Sequence, residues 1–328
     1  MNTRVLGKTG YNVSEVGFGA WAIGADWGSV SEDDALAALR EALDRGVTFI
    51  DTADVYGDGR SERLIAQILK DFRGERIYVA TKAGRRLDPH VPEGYNYENL
   101  AAFTARSLEN LQVETLDLVQ LHCPPTDVYR RDDTFEAMDR LKREGVLRHY
   151  GVSVETVEEA ELSLAYPGVA SVQIIYNMFR LKPALEFFAQ AREHEVGIIA
   201  RVPLASGLLS GKMTAERTFP QDDHRNYNRQ GEAFDIGETF SGVTFETGLQ
   251  AVEELKELVP EGRTLAQLAL RWILMHPAVS TVIPGAKRVD QVEDNVQASE
   301  MPALAPSSMQ RVRDIYDRTI RDQVHHRW

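Results

Sequence analysis

Short runs of β-branched, aromatic and aliphatic residues alternate with longer amphipathic stretches along the whole chain. Eight such runs stand out, at 13–18, 47–50, 77–80, 116–121, 148–152, 171–175, 197–200 and 279–283. Helical patterns lie between them, as repeated strand–helix units require. Ala35, Leu36, Leu39 and Leu43 form one apolar stripe. Ser31, followed by Glu32, Asp33 and Asp34, predicts the N-cap of that helix. Leu249, Val252, Leu255 and Leu258 form a second stripe, and Leu265, Leu268, Ala269 and Trp272 a third; both read as core faces. Before the first barrel run, turn residues between two short β-like pieces predict a hairpin over 4–13.

Eight strand–helix units suit either a closed barrel or an open doubly wound sheet. The open sheet of the dinucleotide-binding kind expects G-x-G-x-x-G after its first strand. This chain has Gly17, Gly19 and then Ala22, with Trp21 intruding. The barrel is therefore preferred. The predicted fold is α/β, a (β/α)₈ TIM barrel of one domain over 1–328, with an N-terminal β-hairpin closing one end. A long irregular stretch follows strand seven, from 206 to 243, rich in Gly, Asp, Asn and Arg. Connections of that length are usually functional or disordered.

Composition then narrows the function. The chain has 328 residues, 43% of them hydrophobic, enough for a large core. A net charge of −13 argues against a nucleic-acid groove or an anionic membrane surface, which leaves a small molecule as the expected partner. Oligomeric state is not encoded in any recognisable pattern. Cys123 is the only cysteine, so no internal disulfide forms and a cytoplasmic location is expected. No apolar run approaches the ~18 residues of a membrane span. The closing His325-His326-Arg327-Trp328 reads as a solvated tail rather than a metal site.

The strand ends carry the chemistry. The second run is followed by Asp51 and then Tyr56, the third by Lys82, the fourth by His122, the fifth by Ser153, the sixth holds Gln173 and precedes Asn177, and the seventh is followed by Arg201. Each has a structural explanation when taken alone; a barrel brings them to one mouth. A phenol is a poor acid near neutrality, and an adjacent ammonium lowers its pKa. Lys82 is expected to do that for Tyr56, Asp51 to keep Lys82 charged, and His122 to hold a carbonyl oxygen. There is no serine–histidine–acid arrangement and no metal-ligand spacing, so proton donation to a carbonyl undergoing reduction is the chemistry that fits.

The segments 49–57 (FIDTADVYG), 80–82 (ATK), 117–122 (DLVQLH) and 150–153 (YGVS) closely resemble the aldo-keto reductases. Gly285 in place of a frequent lysine and Gln291 in place of the usual arginine resemble the branch of potassium-channel β-subunits and their bacterial relatives. The resemblance spans nearly the whole chain. It implies a catalytic tetrad of Asp51, Tyr56, Lys82 and His122, with Tyr56 as general acid in reduction and base in oxidation. It implies Trp21, Tyr56 and His122 around the substrate. For the nicotinamide end it implies Ala20, Trp21, Asp51, Ser153 and Gln173; Val154 replaces a frequent asparagine. Arg201, with Pro203 and Leu204 after it, stands where the family commonly stacks an aromatic, so a stacked guanidinium is expected. Gly207 and Lys212, in the run 206–212, match the pyrophosphate-contacting loop. The turn with Gly285, Lys287 and Arg288 opens a helix suited to phosphate, in which Gln291, Asp294 and Asn295 match the adenosine end.

Lys287 and Arg288 favour NADP(H), while Asp294 keeps NAD(H) open. The segment 223–229 is either a strap over the cofactor or an exposed charged loop. The implied activity is reduction of an aldehyde or ketone, sugar-derived ones included. A sugar or polyol dehydrogenase and a nicotinamide-binding regulatory subunit are the alternatives within the resemblance. A phosphate-processing barrel is the one outside it.

Overall fold

The computed structural model describes residues 1–24 and 27–328. Strands β1 (Thr3–Val5) and β2 (Asn12–Ser14) pair antiparallel, with Arg4 opposite Val13. Their connection passes through Gly7 at φ +48°, where a Cβ would fall 2.2 Å from the Gly197 nitrogen. Only glycine lets the hairpin lie this close to the barrel floor. Arg4 fixes it there, donating to the carbonyls of Leu274 (2.6 Å) and Val279 (2.8 Å) and pairing with Glu15 at 3.0 Å.

Eight parallel strands follow: β3 (Phe18–Gly19), β4 (Phe49–Asp51), β5 (Tyr78–Ala83), β6 (Leu116–His122), β7 (Leu147–Ser153), β8 (Val169–Ile175), β9 (Gly197–Arg201) and β10 (Val279–Val282). They pair in chain order. Val16 and Gly19 bridge Val282 and Gly285 in parallel, and the Gly17 amide donates to the Val282 carbonyl at 2.8 Å. These contacts close the (β/α)₈ barrel. The expected first strand at 13–18 is divided, because the hairpin captures Val13 and Ser14 and leaves Phe18–Gly19 to the barrel. The other seven runs each coincide with a strand.

Period-two alternation builds both layers. Phe49, Ala80, Leu118 and Ile199 point inward and join Leu6, Val13 and Ile283 in a sealed floor. Their neighbours Ile50, Val79, Val119 and Ile198 belong to the outer core, which also holds Leu39, Leu64 and Met138. Ser31 caps the helix Glu32–Asp44 by accepting from the Asp34 amide at 3.1 Å. Thr264 and Gln267 form a capping box on Leu265–Leu274, the helix of the third stripe.

The stretch after β9 has no strand but is held locally. Asn228 accepts from the amides of Ala233 and Phe234 and donates to Thr239. The chain end is not a solvated tail. Trp328 is buried, its indole donates to Asp235 at 3.0 Å, and the Arg180 guanidinium lies 4.0 Å from its ring centre. The apolar area of an indole and one cation explain why this segment docks. Among the described residues no helix is long and apolar enough to cross a membrane.

Candidate active site

A cavity of about 400 Å³ opens at the C-terminal ends of the strands. A second, of about 530 Å³, lies between the long loop and the final helical turns and contains none of the strand-end residues. The first is lined by Asp51, Tyr56, His122, Ser153, Gln173 and Arg201, so the barrel gathers groups separated by 150 positions. Lys82 stands behind them, buried.

Asp51 ends β4 and is surrounded by donors. Lys82 Nζ lies 2.5 Å from Oδ2, while Gln120 Nε2 (3.1 Å) and Gln173 Nε2 (2.6 Å) both reach Oδ1. Gln120 was not singled out from the sequence; its position in the buried β6 register beside Lys82 was the available signal. Lys82 also donates to the Thr52 carbonyl at 2.9 Å and to Tyr56 Oη at 3.3 Å. Burial works against the Lys82 charge, but Asp51 and Tyr56 outweigh it and leave the pKa above its ordinary value. The ammonium is therefore secure.

Tyr56 departs from expectation. Burial raises its pKa more than Lys82 lowers it, and Asp51 and Glu238 add to the rise. The phenol stays protonated, which suits an acid, but it is not made more acidic as expected. His122 is pushed well below the usual histidine range, first by burial and then by Arg85, Lys82 and Arg201. It is a neutral imidazole, set edge-on to Tyr56 with ring centres 5.9 Å apart. Beneath the Tyr56 turn, Asp54 is fully buried with neither carboxylate oxygen hydrogen-bonded. Burial, then Glu62, lifts its pKa to about 7.

The same cavity is lined by Trp21, Pro203, Leu204, Gly207, Lys212 and Gly285, and by Lys287, Arg288, Gln291, Asp294 and Asn295. Ala20 does not line it; its amide and carbonyl are bound to Asp51 and Ser61. The sequence-predicted cations do not converge freely. Lys287 Nζ donates to the Trp27 carbonyl at 2.9 Å, and exposed Arg288 pairs with Asp290 at 2.9 Å. Asp294 accepts from Thr264 (2.9 Å) and Gln267 (2.7 Å). The helix Val289–Val296 has no side-chain cap at Arg288, and Arg288 and Gln291 at its start line the groove end.

The aldo/keto reductase family model matches residues 15–317. The chain belongs to this family. Aldo-keto reductase YhdN of Bacillus subtilis (strain 168) is 31% identical, the match covering 97% of this chain and 95% of that protein. A probable voltage-gated potassium channel subunit beta of Arabidopsis thaliana is 30% identical over 96% of each. Among solved structures, the glycerol dehydrogenase AKR11B4 from Gluconobacter oxydans superposes with a TM-score of 0.79 at 28% identity, over 97% of this chain and 96% of that one. The chain is thus an oxidoreductase of the aldo-keto reductase type.

In this reductase the wall beside His122 is built from charge. Arg201 lines the cavity and is not a plain surface ion pair. It is 7% exposed and bound to Glu155 (2.7 Å), the Val154 carbonyl (3.0 Å) and Glu238 (3.7 Å). Arg85 joins Glu238 at 2.6 Å and Glu155 at 3.1 Å. Two guanidiniums thus face two carboxylates, the arrangement that buried charge requires. Asn177 lies outside the cavity and ties Val202 to Ser241. The opposite wall is aromatic. Trp21 stacks over Tyr56 with ring centres 6.0 Å apart, and Trp27 meets Trp21 edge-on. From 223–229, Arg225 lines the cavity, with its guanidinium 4.7 Å from the Trp27 ring centre. Trp27, Arg217 and Glu238 were missed as site residues because loop geometry has no periodic signal.

Proposed function

We propose that this reductase converts an aldehyde or ketone, sugar-derived ones included, into the alcohol, with NADP(H) as hydride carrier and Tyr56 as proton donor. The observation that carries the reading is the Tyr56 hydroxyl, 3.3 Å from a buried ammonium, in a cavity that continues to an uncapped helix start. The donor set fits a nicotinamide dinucleotide. Lys212, Arg217 and Arg225 line the same cavity and suit a pyrophosphate. Ser153 and Gln173, both buried at its catalytic end, suit a carboxamide.

When bound, the cofactor supplies the hydride. Tyr56 and neutral His122 donate hydrogen bonds to the carbonyl oxygen, and Tyr56 passes its proton to that oxygen as it becomes an alkoxide. Lys82 stabilises the phenolate that remains, and Asp51 keeps Lys82 charged. In oxidation the phenolate takes the proton back. Residues 1–328 act as one barrel domain, and the lone buried Cys123 supports a cytoplasmic setting.

One observation favours a second reading, NAD(H)-linked oxidation of a sugar or polyol. Lys287 and Arg288 already have protein partners, and Asp294 is fixed on the same groove by Thr264 and Gln267. The likeness to a glycerol dehydrogenase supports an alcohol substrate. The complete tetrad favours an enzyme over a solely regulatory subunit.

The test is a carbonyl and alcohol panel followed by nicotinamide absorbance with both cofactors, with Tyr56→Phe alongside. The variant should lose turnover by ~10²–10⁴-fold while titrating NADPH like the parent. Near-parent turnover would remove Tyr56 as the acid.

A further inference from the structure

We propose that Glu238 selects the substrate, favouring carbonyl compounds that carry a hydroxyl on the neighbouring carbon and, in reverse, vicinal diols. The inference rests on the reading that this cavity reduces carbonyls, and it assigns one wall of that cavity a chemical preference.

Glu238 comes from the long loop, yet it is 5% exposed and lines the cavity with Tyr56 and His122. It shares that cavity with Arg201, whose guanidinium reaches it from the end of β9. It cannot swing away. Arg85 grips Oε1 at 2.6 Å, Arg201 lies 3.7 Å from the same atom, and Ser206 Oγ donates to the Glu238 carbonyl at 3.0 Å. Burial alone would raise the carboxyl pKa, but Arg85 and Arg201 overcome it and bring it down to about 2. At working pH the group is an ionised acceptor held in place.

An ionised carboxylate accepts hydrogen bonds and donates none. A substrate entering the cavity displaces the water in front of it. An apolar chain then strips the carboxylate of that water and leaves it only its protein partners, whereas a substrate hydroxyl replaces the water with a charge-assisted bond. Sites built to bond a hydroxyl reject analogues that lack it for this reason. A carboxylate substituent would meet like charge, since both neighbouring guanidiniums are already paired. Trp21 and Trp27, on the other wall, offer flat surfaces to the C–H faces of a short hydroxylated chain.

The experiment measures kcat/KM with NADPH for the matched aldehydes glyceraldehyde and propanal in the full chain. The parent should favour glyceraldehyde about a hundredfold or more. Because glyceraldehyde is intrinsically the more electrophilic, the deciding figure is how the ratio changes in the variants. Glu238→Gln, which keeps the shape and an acceptor for Arg85, should lower the ratio about tenfold. Glu238→Met should lower it further, to the intrinsic difference between the two aldehydes, and if it does not fold, the glutamine variant still decides. Glu155→Gln disturbs the same charge cluster from outside the cavity lining and should keep the ratio.

An even ratio in the parent, an unchanged ratio in Glu238→Gln, or an equal loss in Glu155→Gln overturns the proposal. Carbonyl turnover without preference overturns this inference alone. NADPH binding without turnover of any carbonyl overturns the functional reading as well.

Discussion

The Asp51–Lys82 pair and the charged wall both border the cavity that His122 lines, and they solve the problem of buried charge differently. In the tetrad one ammonium meets one carboxylate, and that carboxylate is saturated by two amides on neighbouring strands. All the parts sit on β4, β5, β6 and β8, whose registers are fixed by backbone pairing. In the wall, Arg85 and Glu155 come from beyond the ends of β5 and β7, Arg201 from the last position of β9, and Glu238 from the loop. Only Arg201 belongs to a ladder; the other three are held by their charge partners. A proton-transfer group needs a fixed frame, whereas a recognition surface has to vary with its ligand. The rigid site therefore lies on strands and the adaptable one on loops.

Breaking the frame should have the largest effect. Lys82→Met should abolish measurable reduction, because it removes the charge that stabilises the phenolate. It should cost about 2 kcal/mol of stability, less than the ~3–5 kcal/mol of a bare buried charge, since Gln120 and Gln173 still serve Asp51. Adding Asp51→Asn should restore stability in urea titrations but not turnover. A double variant no more stable than Lys82→Met would show that the amides, not the ammonium, carry Asp51.

Arg85→Met attacks the wall instead. It removes one guanidinium while Arg201 remains on both glutamates, so about 1–2 kcal/mol should be lost. Proteolytic cutting within 206–243 should become faster, with much more turnover retained than in Lys82→Met. Unchanged cutting would mean that Glu238 is not what fastens the loop.

Asp54 separates geometry from charge beneath the tetrad. Its folded-state pKa is raised to about 7, so the folded protein keeps a proton that the unfolded chain releases near ~4. The stability this contributes is complete below the unfolded value and is lost as pH rises toward the folded one. Asp54→Asn should therefore gain on the parent as pH rises from 5 to 8, by about 1–2 kcal/mol in urea midpoints. A difference that does not change with pH would show that Asp54 is not protonated in the fold.

The smallest effect should come from the groove. Lys287→Ala with Arg288→Ala should weaken NADPH about three- to tenfold and NADH less, because exposed, partnered cations contribute little. Fluorescence titration at fixed salt reads the ratio. Equal weakening would assign the pair to the pyrophosphate.

What was legible in the sequence follows the same division. Asp51, Lys82 and His122 terminate strands whose alternation is plain, so their meeting could be read from order alone. Gln120 was hidden by its ordinariness, as one polar residue within a buried run. Glu238, Arg217 and Trp27 were hidden because they sit on turns whose direction is set by tertiary contacts. The first strand was misjudged where hairpin and barrel compete for 13–18. The ion partners of Arg201, Glu155 and Glu238, were hidden because they lie 46 and 37 positions away in opposite directions.

The docking of Trp328 has an optical consequence. Its indole lies against the base of the long loop, where a Cβ on Gly242 would come within 2.4 Å of the ring. Trp21 and Trp27 stand at the mouth, and Trp272 is buried in the outer core. The chain's four tryptophans are thus sorted by location. With Trp272 as an invariant background, emission from the mouth pair reports what enters, and emission from Trp328 reports whether the loop base has parted from the barrel. Ligand entry and loop movement become two separable signals in one unlabelled protein.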